Sequence, residues 1–141
     1  MQLDKAEIGK ILPQKEPFRF VDAVDEISKI DESIKCSQIY CSSEFYFAGH
    51  FPGRPIVPGV LLIESMAQAA LLLLSILSDT RLDVGYLVKV NSAEFHQVLL
   101  PNEQVSVHCR ILQKVGNFNI VNATVVKGDH RIAKAKLTLS C

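Results

Sequence analysis

The 141 residues make one domain's worth, read here as residues 1–141, with no room for a separate cofactor-binding domain. Nearly half are apolar (48%), enough to bury a real core, and 15 basic residues balance 15 acidic ones. Scattered, cancelling charge argues against a nucleic-acid binder, which would carry a basic excess or stripe.

Asp4 followed by Glu7 has the pattern of a capping box and predicts a short helix that ends before Pro13. The apolar, aromatic segment Pro17 to Val24 reads as a strand or an extended lead-in, and Ser33 to Cys41 alternates as a strand. From Gly49 to Gly59, three prolines and three glycines in eleven residues rule out regular structure. Such a loop is expensive to order, which favours a functional role over a simple connector. Val60 to about Ser78 is the one long helix. Strands are expected at Tyr86–Val90, Ala93–Leu99 and through the alternating Val105, Val107, Cys109 and Ile111. Turns at Gly116-Asn117 and Gly128-Asp129 then introduce strands at about Phe118–Lys127 and Arg131–Leu139.

One buried helix followed by a meander of strands is an α+β plan. The helix has almost no polar face, so one flat sheet face cannot cover it; a curved sheet or a second subunit would. Its longest unbroken apolar run, Ala69 to Leu74, is far short of the ~20 residues a bilayer requires, and no membrane span is expected. The cysteines at 36, 41, 109 and 141 have neither CxxC spacing nor a neighbouring His pattern, so free thiols in a reducing cytosol are expected rather than zinc. The segment Met1 to Glu7 lacks the basic and apolar regions of a signal peptide, which points to the cytoplasm.

His50 lies in the Gly/Pro-rich loop, where backbone can approach a ligand closely. Its plain structural role would be a bond to a neighbouring carbonyl. Glu64 is the lone carboxylate of a helix that otherwise wants burial, and its plain role would be a bond to Gln68, one turn on. Burial among Leu61, Leu62, Ile63 and Met66 would raise its pKa. A carboxylic acid kept protonated can donate a proton and a neutral His can accept one, a pairing that suits elimination of water beside a thioester carbonyl. The backbone N–H of Gly59, at the positive end of the helix, could polarise the thioester oxygen, and glycine leaves that approach open.

The run Gly49-His50-Phe51-Pro52-Gly53-Arg54-Pro55-Ile56-Val57-Pro58-Gly59-Val60-Leu61-Leu62-Ile63-Glu64-Ser65-Met66-Ala67-Gln68-Ala69-Ala70 closely resembles the signature of the FabZ family, the (3R)-hydroxyacyl-[acyl-carrier-protein] dehydratases. Leu12-Pro13, Pro17-Phe18 and Val21-Asp22 resemble the family's N-terminal segment, so the similarity runs from about Ile8 to Leu139. The resemblance implies a hot-dog fold, with the sheet wrapped around the Val60–Ser78 helix. It implies dimers, often assembled three to a hexamer, each site joining His50 of one subunit to Glu64 of the other. It further implies Gly59, Phe51, Pro58 and Gln68 as substrate contacts, and a substrate carried on the phosphopantetheine arm of acyl carrier protein. Neither metal nor nucleotide cofactor would be needed. A glutamate at position 64 looks like FabZ rather than the related dehydratase-isomerases, so no isomerisation of the trans-2 product is expected.

The chain departs from the family at Gln14-Lys15-Glu16 and Arg19, and matches only loosely along Gly85–Phe95, with His96-Gln97 replacing a usual basic pair. These changes bear on carrier recognition and chain length. Two alternatives follow: a hot-dog acyl thioesterase, or a non-catalytic paralogue that binds acyl chains or the carrier.

Overall fold

A computed structural model describes residues 1–79 and 85–141. Helix α1 (Lys5–Ile11) is capped as its sequence predicts, Asp4 Oδ1 accepting from Glu7 N–H and Glu7 Oε1 from Asp4 N–H. Helix α2 (Gly59–Ser78) is the long one.

There are six strands among the described residues: β1 (Ala23–Ser28), β2 (Ser33–Ile39), β3 (Tyr86–Phe95), β4 (Gln104–Val115), β5 (Phe118–Lys127) and β6 (His130–Ser140). They form one antiparallel sheet in the order β1-β2-β4-β5-β6-β3. The β4–β5 and β5–β6 hairpins turn at Gly116 and Gly128, whose φ values of 60° and 59° favour glycine.

Helix α2 packs against β2, β4, β5 and β6. Met66, Ala69, Ala70, Leu72 and Leu73 are wholly buried in one core with sheet residues such as Val107, Val121, Val125 and Leu137. Each fully buried Leu or Val contributes about 1.5–3 kcal/mol of transfer free energy, so this seam organises the core. By length and composition α2 could cross a membrane, yet most of it is buried here. A sheet curled around one central helix is the hot-dog arrangement.

Two expectations are refined. Pro17 to Asp22 is not a strand: it starts in a turn, Phe18 N–H donating to Lys15 O, and then runs without regular structure to β1. Its backbone groups are met by helix side chains: Gln68 Oε1 accepts from Phe20 N–H, Gln68 Nε2 donates to Phe18 O, and Ser65 Oγ donates to Phe20 O. The two strands expected over 86–99 are one, β3, with bulges between Leu87 and Lys89 and between Val90 and Ser92. The chain leaves β3 at Phe95, and Leu99 O then accepts from Val57 N–H, tying it to the loop before α2. All four cysteines are free; Cys36 and Cys109 are buried, whereas Cys41 and Cys141 are exposed.

Strand β3 is an edge with an uncovered inner face. Leu87, Val90 and Phe95 pair with the buried, helix-facing Leu139, Leu137 and Ala133, yet remain 39–49% exposed.

Candidate active site

The loop from Gly49 to Pro58 is held by its own backbone. Phe51 and Arg54 exchange N–H···O bonds, Ile56 N–H donates to His50 O, and Gly53 takes a φ of 71°. This places His50 Nδ1 at 3.1 Å from Ile56 O. A carbonyl can only accept, so Nδ1 carries the proton, and in the neutral ring Nε2 keeps its lone pair. The bond that anchors His50 therefore also selects the tautomer that a base at this position would require. The ring stacks on Phe51, with centroids 4.2 Å apart.

His50 lines a cleft of about 390 Å³ with Ile56, Gly59, Leu62, Phe95 and Val98 among its neighbours. Gly59 opens α2, where the first N–H groups have no intrahelical acceptor. A Cβ at Gly59 would stand 3.0 Å from the Phe95 ring, so glycine lets that ring close over the helix start.

Glu64 does not line this cleft. Leu62, which does, is two residues away, or about 200° around the helix axis. The carboxyl lies instead on the side of the Phe18–Phe20 segment, where Gln68 Nε2 donates to its Oε2 at 2.8 Å. Burial pushes the Glu64 pKa up, and the Gln68 bond offsets this in part. Gln68 is wholly buried, with all its amide bonds to protein, so it braces Glu64 and offers no open face to a ligand.

A second brace stands beside it. Ser65 Oγ bonds the Tyr40 hydroxyl as well as Phe20 O, and Tyr40 is itself 1% exposed, its hydroxyl pKa pushed up by burial. Among the remaining expected contacts, Phe51 lines an adjoining cavity of about 990 Å³, and Pro58 caps α2 without lining either space. Sequence reasoning missed Phe95, Leu62 and the Tyr40–Ser65 pair. Ser65, a polar residue in an apolar helix, was the available signal. No group of three or more His, Cys, Asp or Glu side chains placed to hold a metal occurs among the described residues.

Residues 12–136 match the FabA-like domain family. The chain is 35% identical over 136 residues to the 3-hydroxyacyl-[acyl-carrier-protein] dehydratase FabZ of Pediococcus pentosaceus, covering 96% of this chain and 91% of that protein. It is 38% identical over 143 residues to an uncharacterized thioester dehydrase of Halalkalibacterium halodurans, covering 96% and 90%. Among solved structures, the dehydratase heterocomplex ApeI:P from Xenorhabdus doucetiae superposes with a TM-score of 0.77 at 15% identity, covering 94% of this chain and 89% of that one. A hypothetical thioesterase from Streptococcus pneumoniae, solved with coenzyme A, gives 0.62 at 12% identity, covering 83% and 82%, which is a likeness of fold alone. With the motif residues in place and relatives matching along almost the whole chain, this protein belongs to the FabZ family of 3-hydroxyacyl-[acyl-carrier-protein] dehydratases.

Proposed function

We propose that this protein removes water from (3R)-hydroxyacyl groups carried on the phosphopantetheine arm of acyl carrier protein, giving the trans-2-enoyl thioester of fatty acid synthesis. The observation that carries the reading is the His50 tautomer fixed by Ile56 O, beside the helix start at Gly59. Nε2 takes the C2 proton while the Gly59 N–H polarises the thioester oxygen. The C3–O bond breaks as Glu64, whose pKa burial raises, gives its proton to the departing hydroxyl. A C2=C3 double bond and water result, and the proton on His50 returns to Glu64 through solvent.

The two groups act across a homodimer, His50 of one subunit facing Glu64 of the other. Their placement on opposite sides of α2 supports this, as does the open apolar surface of Val60 and the inner face of β3. Three such dimers assembled as a hexamer would fit the family. Four free cysteines suit a reducing cytoplasm. The chemistry proposed uses only protein groups and asks for no metal or nucleotide.

The test is hydration of a crotonyl carrier thioester by purified protein. His50→Ala and Glu64→Gln are each expected to lower turnover at least ~10²-fold with the fold retained. Full activity in either variant would sink that residue's assignment. Thiol release without enoyl turnover would favour thioester hydrolysis, and carrier binding without either would indicate a non-catalytic paralogue.

A further inference from the structure

The His50 cleft does not end at its own walls. Ile56 and Val98 line both it and the larger cavity of about 990 Å³, so the two spaces adjoin and an extended ligand reaching His50 and Gly59 could run through both. The outer part runs between residues 51–56 and 98–102. Its walls are apolar and unusually open: Phe51 is 51% exposed, Val98 60% and Leu100 50%, with Pro55 and Pro101 between them.

The polar groups at this mouth are mostly engaged. Asn102 Oδ1 accepts from Ser42 N–H, Asn102 Nδ2 donates to Ser42 Oγ, and Asn102 N–H donates to Tyr40 O. These bonds lock the 98–102 turn to the end of β2. Arg54 is the one charged residue lining the mouth, and its side chain has neither an ion pair nor a hydrogen bond among the described residues. Its backbone is fixed by the exchange with Phe51, which sets the point on the rim from which the side chain extends.

An apolar passage with one unpartnered cation at its outer end matches a ligand with an apolar and amide stem and a terminal anion. A guanidinium suits phosphate because its planar fork of donors meets two oxygens at once. We propose that Arg54 binds the phosphate of the phosphopantetheine arm as the arm enters between Phe51 and Val98. This rests on the dehydratase reading above and assigns the outer end of that site. The same phosphate chemistry comes from carrier protein or from coenzyme A.

The experiment compares the crotonyl thioesters of acyl carrier protein, of coenzyme A and of pantetheine without phosphate, using wild type, Arg54→Gln and Arg54→Lys. Lys136→Gln, on the solvent face of β6, is the control. Arg54→Gln should raise KM about three- to tenfold for both phosphate-bearing thioesters, the worth of a partly exposed charged contact, with kcat unchanged. The pantetheine thioester should be unaffected, Arg54→Lys should fall between, and the larger of the two losses identifies the natural phosphate donor. Equal loss with all three thioesters, loss with none, or loss confined to the carrier thioester would overturn the assignment. Failure of wild type to hydrate any of the three would instead refute the dehydratase reading, so the two failures are distinguishable.

Discussion

Replacing Gln68 with leucine removes three hydrogen bonds at nearly constant volume, so no large cavity contributes to the outcome. Phe20, 5% exposed, is left with an N–H and no acceptor, a loss of about 1–3 kcal/mol. The Phe18 carbonyl belongs to an exposed residue and can rehydrate, but half-buried Glu64 also loses its donor. The sum is about 2–4 kcal/mol, or roughly 5–12 °C in Tm for a chain of this size. Activity should fall further than stability explains, because a displaced acid can lose about 10²-fold in rate. The Gln68 bond is the interaction that lowers the Glu64 pKa against burial, so its removal keeps the acid protonated to higher pH. The alkaline limb of the rate profile should therefore move upward. The assay is urea unfolding at fixed protein concentration together with crotonyl thioester hydration across pH. A stability change below about 0.5 kcal/mol with unchanged kcat and profile would refute the bracing role.

Burial raises the Glu64 pKa above its unfolded value, so the folded chain keeps a proton that the unfolded chain releases. Wild type should lose stability relative to Glu64→Gln as pH rises from the unfolded carboxylate range through the raised value. The two should match below that range, and urea midpoints that diverge the other way would contradict the burial argument. Gly59→Ala should push the Phe95 ring aside and lower kcat/KM about tenfold, whereas Gly49→Ala, with no atom within 4 Å, should be silent; paired kinetics decide. Val90→Lys places a charge on the open inner face of β3 and should yield an inactive monomer on a sizing column. A dimer of full activity would remove β3 from the interface.

The hairpins were legible because Gly116 and Gly128 sit where the backbone needs a positive φ, and α1 because its capping box is local. The long helix was legible from its apolar run. The Phe18–Phe20 segment was harder to read: its alternation resembles a strand, but its hydrogen-bond partners are Ser65 and Gln68, some 45 to 50 residues away. Local pattern cannot report a bond closed over that distance. Likewise, His50 could be singled out by its constrained loop, but its tautomer depends on where Ile56 O points, which only the folded loop determines. The bulges that fuse two expected strands into β3 follow from pairing with β6, again a non-local cause.

The bond from Phe20 N–H to Gln68 Oε1 makes one backbone amide a reporter of the active site. Gln68 can hold Glu64 as it does only while its other bonds keep it on the Phe18–Phe20 segment. When that segment opens, the Phe20 amide becomes free to exchange with solvent and the acid loses its brace in the same event. Hydrogen exchange at this single position therefore reports how often the segment and the Glu64 brace open together. On the proposed mechanism, a treatment that speeds exchange there without unfolding the sheet would lower activity from the N-terminal arm while His50 and Glu64 remained in the chain.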